Sequence, residues 1–210
     1  MNEITFQPLN LHLEDMLIEI AKENKIKSFS FPVYVQGIHP WEYEDIDEQR
    51  VNKFSRTVYA TPEYLEYREV ILHKIDRDSD EVVGISSKVE MVDGAFAHLK
   101  HLDWDALALD AFDDAFRFAE FRKTLFYLGE HSILGKKGFI ARSGGGFHYH
   151  GLHVINDEKW RAWIGKSKEA GTDPDWCDLQ LKRGFSILRM TSSKVKRFVP
   201  KVVYEVYVNA

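Results

Sequence analysis

The chain has 210 residues, of which 44% are hydrophobic, 13% aromatic and 29% charged; this apolar share is enough for a core and excludes a chain that is disordered as a whole. Its formal net charge is −5, so the chain lacks the excess of basic residues that is typical of general nucleic-acid-binding proteins. The single cysteine, Cys177, excludes an internal disulfide and a zinc site built from several cysteines.

The beginning of the chain does not resemble a targeting segment. Residues 1–10 lack the basic region and apolar run of a secretory signal, and no apolar stretch approaches the length of about 18 residues that spans a bilayer. One cysteine suits a reducing compartment. We therefore expect a soluble, intracellular (cytoplasmic) protein of one large domain or two small, closely packed modules.

The first half of the chain predicts one helix followed by strands. Helical spacing over 9–25 places Leu13, Leu17, Ile20 and Ala21 on one face, as in an amphipathic helix. Runs of β-branched and aromatic residues between turn residues predict strands. These strands are expected over 30–37, 68–75, 82–91 and 97–105.

The second half predicts two further helices. The clearer one covers 108–129 and ends near Gly129. The other covers 156–171 and begins at Asn156 or Asp157 as its N-cap. The expected buried face of the first consists of Phe112, Phe116, Ala119 and Leu125.

The remaining segments of the second half alternate as strands do, and a proline-containing turn precedes the third of them. Strands mixed with helices in this order, with many hairpin-like connections, predict an α+β fold. The expected strands cover 138–142, 147–155, 185–191 and 197–208.

Charge is distributed unevenly along the chain. Residues 41–50 and 103–120 are rich in carboxylates, whereas 182–201 contain no acid. An acidic cluster and a basic segment in one domain suit a site that holds metal ions on one side and phosphates on the other, although ordinary surface charge explains the composition equally well. The seven bases of this segment are Lys182, Arg183, Arg189, Lys194, Lys196, Arg197 and Lys201.

Two carboxylates stand two positions apart in the strand predicted over 97–105. Side chains alternate along a strand, so Asp103 and Asp105 would leave the same face about 7 Å apart at their Cα atoms. Such a pair repels itself unless a cation lies between, and Mg²⁺ or Mn²⁺ prefers oxygen ligands of this kind. Two aspartates at this spacing are also common on protein surfaces without a metal. The metal-site interpretation therefore needs support from other residues of the chain.

The sequence SGGGFHYHGLH, residues 143–153, combines a glycine turn with three histidines. Glycines let backbone N–H groups approach a phosphate closely, and Ser143 adds a hydroxyl donor. His148 and His150 would share one strand face, whereas His153 would point the other way. A phosphate site is favoured, although a lone histidine here would more often be a packed polar residue.

These motifs, taken in order, resemble the archaeo-eukaryotic primase superfamily, and its PrimPol-type primase-polymerases in particular. The first family motif is a hydrophobic strand with D-x-D, matched by Asp103 and Asp105, and the second is a serine–glycine turn leading to histidine, matched by 143–148. The third is an aspartate that ends or follows a strand, with an arginine downstream. Asp178 and Arg189, eleven positions apart, followed by Ser-Ser-Lys, match it.

The resemblance implies a template-dependent nucleotidyltransferase, a DNA primase and/or DNA polymerase that uses two Mg²⁺ or Mn²⁺ ions. Its metal ligands would be Asp103, Asp105 and Asp178, and His148 would join them in catalysis. The nucleotide phosphates would be held by Ser143, Gly144, Gly145, Gly146, His148, Arg189 and Lys194. Nucleic-acid backbone contacts are expected at Arg142, Lys196 and Arg197.

The resemblance also implies an architecture and partners. Residues 1–210 would form one catalytic domain, with an N-terminal α/β module over about 1–95 packed against an RRM-like catalytic sheet over 96–210. The expected partners are a single-stranded DNA template, an NTP or dNTP substrate and a separate helicase or accessory replication protein, with no membrane. The glycine turn departs from the family in having no basic residue, which shifts phosphate binding toward backbone donors.

Three other interpretations remain open. In an HUH-type replication-initiator endonuclease, His148 and His150 would bind the metal and Tyr204 or Tyr207 would be the nucleophile, but that tyrosine belongs on a helix and 201–208 alternate like a strand. A catalytically inactive nucleic-acid-binding module of the primase fold is the second. A zinc domain built on the histidines at 148, 150 and 153, with an aspartate or Cys177 as fourth ligand, is the third.

Overall fold

The computed structural model describes residues 3–35, 54–66, 81–105, 113–192 and 198–209. The described helices are α1 (Leu13–Asn24), α2 (Pro62–Glu66), α3 (Asp114–Glu130), α4 (Asp157–Glu169) and α5 (Pro174–Arg183). The described strands are β1 (Glu3–Leu11), β2 (Ile26–Val35), β3 (Phe54–Ala60), β4 (Glu81–Ser86), β5 (Lys88–Met91), β6 (Phe96–His98), β7 (His101–Trp104), β8 (Lys137–Arg142), β9 (Phe147–Gly151), β10 (Ile187–Arg189) and β11 (Lys201–Asn209).

The strands form two antiparallel sheets, and the α+β prediction is confirmed. The first sheet has the order β1-β11-β8-β9-β7. The second has the order β10-β4-β2-β5-β6, with β3 paired to β2. None of the helices in the described ranges is long and apolar enough to cross a membrane.

The two halves of the chain exchange strands between the sheets. Strand β1 from the N-terminus pairs with β11 at the C-terminus, and β10 pairs with β4 so that Arg189 lies opposite Gly84. A boundary near residue 95 therefore does not separate the sheets, because each sheet takes a strand from the other half of the chain. That residues 1–210 form one catalytic domain stays a prediction.

Side chains on opposite faces of the first sheet enter different cores. Along β8, Phe139 and Ala141 pack with α1 and with β2 of the second sheet, whereas Ile140 between them packs against α3 and α4. This is the alternation expected of a strand buried on both faces. The first sheet is thus the middle layer, with α1 and the second sheet on one side and α3 and α4 on the other.

Several local predictions are confirmed and their physical causes are visible. Helix α1 buries Leu13, Leu17, Ile20 and Ala21, as its periodicity predicts. Its predicted start at residue 9 is wrong, because 9–11 belong to β1. Asn156 caps α4, since its side-chain oxygen accepts the Lys159 N–H at 2.9 Å.

The predicted buried face of α3 is confirmed at Leu125 and wrong at two other positions. Phe116 and Ala119 are exposed, and Phe112 lies outside the described residues. The expected set mixed two helical stripes, whereas spacings of three and four residues define the real one. The buried residues of α3 are Phe121, Thr124, Leu125, Leu128 and Gly129.

Two predicted strands are each split in the structure. The segment 82–91 divides at Ser87 into β4 and β5, and 97–105 divides into β6 and β7, which belong to different sheets. The segment after Pro174, expected to be a turn, is the helix α5, because Asp173 caps it and Pro174 suits its first position. The strand predicted over 68–75 lies outside the described residues.

Candidate active site

The first two sequence motifs lie on neighbouring strands at the edge of the first sheet. Asp103 of β7 is paired directly with His148 of β9, and the Asp103 Oδ1 lies 3.4 Å from the His148 Nε2. Their strand neighbours Leu102, Trp104 and Tyr149 enter the helix-covered core. Asp103 and His148 therefore project from the opposite face, the one turned toward the second sheet.

The glycine turn joins β8 to β9 and reaches the end of β7. A Cβ on Gly146 would lie 2.1 Å from the Trp104 carbonyl oxygen and 3.0 Å from the Asp105 Oδ1. Only glycine permits this approach. Gly144 has φ of +100°, the left-handed region that also favours glycine. The turn consequently lies directly against the second carboxylate.

The two carboxylates stand at the end of the strand rather than along it. Strand β7 ends at Trp104, so Asp105 is the first residue beyond it. The Asp103 side chain is 24% exposed, which leaves part of it accessible to a ligand. The two carboxylates and the glycine turn thus meet at one edge of the first sheet.

Arg189 reaches this edge from the second sheet, because β10 contacts β7. Its Nη1 donates to the carbonyl oxygens of Thr191 at 2.5 Å and Phe198 at 2.6 Å, and its Nη2 donates to the Ser143 carbonyl at 2.9 Å. Burial lowers the pKa of Arg189, while Tyr34, Asp103 and Asp105 oppose that shift. The guanidinium therefore braces the glycine turn as well as supplying positive charge beside the carboxylates.

Sequence reasoning missed Tyr34, which β2 places at the same site. Burial raises the pKa of Tyr34 to about 12. The charge of Asp103 also raises this pKa, whereas the charges of Arg189 and Arg183 lower it. Gly84 makes room for the ring, since a Cβ there would lie 3.2 Å from the Tyr34 Cε1. No local signal in the sequence marks Tyr34, because only the pairing of β2, β4 and β10 brings it to the motifs.

Buried histidines line the face of the first sheet behind Asp103. The ring centroids of His148 and His150 lie 6.3 Å apart, and those of His150 and His101 lie 5.0 Å apart. Burial lowers the pKa of His101 to about 3, and it also lowers that of His150. His101 and His150 are therefore neutral near pH 7. As predicted, the side chains at 148 and 150 share one face.

The histidine cage of the zinc interpretation does not assemble. His153 lies beyond the end of β9, is exposed, and has its Nδ1 3.9 Å from the Glu23 Oε1. Cys177 is buried, and burial raises its pKa to about 12, so its thiol is protonated. Across the described ranges, no three His, Cys, Asp or Glu side chains form a group that could hold a metal ion.

The structure does not bring Asp178 to the other two carboxylates. Asp178 lies on α5 rather than at the end of a strand, its side chain is 52% exposed, and the Lys168 Nζ donates to both its oxygens at 2.7 and 2.8 Å. Helix α5 buries Cys177 and Gln180, which leaves this carboxylate on the opposite, solvent side. Its role as third metal ligand stays a prediction.

The predicted basic contacts are only partly described. Arg142 ends β8 beside the glycine turn, and its Nη2 lies 2.5 Å from the Asp114 Oδ2. Lys194, Lys196 and Arg197 lie outside the described residues.

A second polar cluster contains the serine, histidine and aspartate of a nucleophilic triad, but here the serine is buried and the aspartate is exposed. The Ser87 Oγ lies 3.3 Å from the His98 Nδ1, and the His98 Nε2 lies 3.5 Å from the Asp157 Oδ1. Ser87 is fully buried, whereas the Asp157 side chain is 57% exposed. A substrate cannot reach such a serine. The cluster instead ties the junction of β4 and β5 to α4.

The tyrosines of the nuclease interpretation lie in β11, which is a strand as predicted. The Tyr204 ring stacks on Phe118 with centroids 4.4 Å apart, and the Tyr207 hydroxyl donates to Glu205 at 2.7 Å. That class of nuclease carries its tyrosine on a helix, and neither Tyr204 nor Tyr207 lies on one.

The order of the motifs, with Asp103, Asp105, the glycine turn and Arg189 meeting at one sheet edge, can be compared with known families. The family model described as AEP-like, archaeo-eukaryotic primase 1D-like, matches residues 68–201, nearly two thirds of the chain. The chain belongs to this family. The match covers all three motifs and confirms the primase superfamily, while the PrimPol-like subtype stays a prediction. Neither the curated proteins nor the solved structures include a match to this chain.

Proposed function

We propose that this primase-family chain is a template-dependent nucleotidyltransferase, which joins nucleotides on a DNA template as a primase and/or DNA polymerase. The observation that carries the proposal is the meeting of two carboxylates, a glycine turn and a buried arginine at one sheet edge. Asp105 comes from the end of β7, Gly146 from the β8–β9 turn, and Arg189 from the other sheet.

The donor set at this edge fits a hard divalent cation. Mg²⁺ is commonly held by one or two carboxylates together with substrate phosphates, and Asp103 and Asp105 supply such a pair. Bound there, Mg²⁺ or Mn²⁺ would neutralise the triphosphate and activate the primer hydroxyl. A second ion with Asp178 as ligand also belongs to the proposal. It requires the ion pair with Lys168 to open and Asp178 to move to the other two carboxylates.

The chain's own groups would orient the nucleotide. Backbone N–H groups of the glycine turn and the Ser143 hydroxyl are the donors offered to the phosphates. Arg189 keeps the turn in place through the Ser143 carbonyl, so it acts on the phosphates both by charge and by positioning their donors. The buried Nδ1 of His148 has no hydrogen-bond partner among the described residues, and its Nε2 lies 3.4 Å from the Asp103 Oδ1, so the ring lies directly beside the first carboxylate.

The test is a primer-extension and primer-free assay on single-stranded DNA, with Mg²⁺ and Mn²⁺ supplied separately. Asp103→Asn and Asp105→Asn should each lower incorporation at least about a hundredfold, since a metal ion contributes several kcal/mol and about 3 kcal/mol corresponds to that factor. Glu158→Gln, a similar change on the exposed start of α4, is the control and should leave incorporation unchanged. Wild-type rates in both aspartate variants contradict the proposal.

A second candidate is a catalytically inactive nucleic-acid-binding module of the same fold. The pairing of Asp178 with Lys168 on the surface of α5 favours it, because the described residues then offer two carboxylates instead of three. This candidate predicts binding of single-stranded DNA with no incorporation under either metal. The nuclease alternative predicts a covalent adduct on tyrosine and loses support from the position of Tyr204 and Tyr207 in β11.

A further inference from the structure

An exposed aromatic ring lies on the outer side of the glycine turn. Phe198 is 41% exposed. A Cβ placed on Gly144 would lie 3.4 Å from the Phe198 Cβ and 3.9 Å from its Cγ. The Cβ of Phe198 therefore lies next to the backbone of Gly144, which has no side chain that could cover the ring.

The backbone of Phe198 is fixed to the proposed catalytic edge. The Arg189 Nη1 donates to the Phe198 carbonyl at 2.6 Å, and the Nη2 of the same side chain donates to the Ser143 carbonyl at 2.9 Å. One buried guanidinium thus ties the segment that bears the ring to the turn that carries the phosphate donors. The backbone that bears the ring is therefore preorganised, which reduces the conformational entropy lost when a ligand stacks on the ring.

A guanidinium group lies beside this ring. The Arg142 guanidinium carbon lies 5.4 Å from the Phe198 ring centroid. Asp114 binds both Arg142, at 2.5 Å, and Arg117, at 2.7 Å, so one carboxylate is shared by two guanidinium groups. Arg117 also donates to the Gly145 carbonyl at 3.2 Å. Two guanidinium groups and one carboxylate thus lie together at the outer rim of the turn, beside a ring that is partly exposed.

We propose that Phe198 and Arg142 form a stacking site for a base of a single-stranded DNA strand at the outer rim of the turn. An aromatic face for the base next to a guanidinium for the backbone phosphate is the combination that binds single strands without sequence preference. The inner side of the same turn contacts Asp105 through Gly146. A DNA strand that stacks on Phe198 would therefore be separated from the carboxylates by the width of the glycine turn. The identification of the strand as DNA rests on the proposed function.

The test measures DNA affinity without catalysis. Fluorescence anisotropy of a short fluorescein-labelled oligothymidylate is recorded with EDTA present and nucleotide absent. Stacking on one aromatic ring is worth about 1–3 kcal/mol, so Phe198→Ala should weaken binding about tenfold or more. Phe198→Trp should keep or increase affinity, whereas Phe198→Leu, which stays apolar but has no ring, should bind like the alanine variant.

The chain offers a matched control for this ring. Phe96 is 63% exposed and has the Lys88 Nζ 4.9 Å from its ring centroid, but it lies on β6, at the end of the second sheet farthest from β10. Phe96→Ala should leave the affinity unchanged. Arg142→Gln should weaken binding and reduce its salt dependence, because one phosphate contact is lost.

Two results overturn the inference. Wild-type affinity in Phe198→Ala would show that the ring serves another partner, such as a protein, and wild-type affinity in Phe198→Leu would show that apolar area suffices. If the alanine variant does not fold, the comparison of tryptophan with leucine decides the question alone. The proposed function is judged separately, by incorporation: a protein that binds DNA through Phe198 without extending primers keeps this inference and loses that function.

Discussion

Gly146→Ala is the sharpest perturbation of the proposed site. The new Cβ would lie 2.1 Å from the Trp104 carbonyl oxygen and 3.0 Å from the Asp105 Oδ1. Carbonyl oxygen and Cβ do not approach closer than about 3 Å, so the turn and the end of β7 must separate by roughly 1 Å. Misplacement by about 1 Å can cost about a hundredfold in rate, and overpacking typically costs about 1–3 kcal/mol of stability.

The assay pairs primer-extension rates with urea denaturation. Gly146→Ala should lower incorporation about a hundredfold while keeping a cooperative unfolding transition. Gly165→Ala is the control, since a Cβ at Gly165 meets nothing within 4 Å and alanine is favoured inside α4. That control should keep its activity and gain up to about 1 kcal/mol of stability. Wild-type rate and stability in Gly146→Ala would refute the close contact on which the site depends.

Three further predictions address Arg189, the buried His98 and the ion pair between Asp178 and Lys168. Arg189→Lys should lower the free energy of unfolding by about 2–4 kcal/mol in urea, since several buried bonds to carbonyls are lost. Burial lowers the pKa of His98 from 6.5 to about 4, so the unfolded chain takes up a proton below pH 6.5 and the folded chain only near pH 4. Stability should be full above pH 6.5 and fall by up to about 3 kcal/mol by pH 4, and His98→Phe should reduce that slope in urea titrations. Asp178→Asn and Lys168→Met break the same exposed ion pair, so neither should change stability much, but only Asp178→Asn should lower incorporation.

Each of these predictions has a contradicting result. An Arg189→Lys variant as stable as wild type would show that the carbonyl bonds are dispensable. An unchanged pH slope in His98→Phe would assign the acid sensitivity to other groups. Equal loss of incorporation in Asp178→Asn and Lys168→Met would assign the effect to the ion pair, and no loss in either would remove Asp178 from the site.

The local elements were predictable because their causes are local. The period of apolar residues in 9–25 places α1, and the side chain of Asn156 caps α4 three residues before the N–H that it accepts. The residues of the first two motifs could also be identified from the sequence, since Asp103, Asp105 and the glycine–histidine turn have recognisable residue types and spacing. The buried face of α3 was missed because two possible stripes overlap in an aromatic-rich stretch.

By itself, the sequence determined the helices α1 and α4, the strands on both sides of the glycine turn and the residue types that carry the chemistry, because propensity, capping and periodicity act over a few neighbouring residues. Only the tertiary structure decided which strands pair, since backbone hydrogen bonds are alike in every strand and do not name their partner. That pairing brings Arg189 and Tyr34 of the second sheet to Asp103 of the first. The same packing leaves Asp178 on the surface of α5, because burial of Cys177 sets which side of that helix faces the solvent.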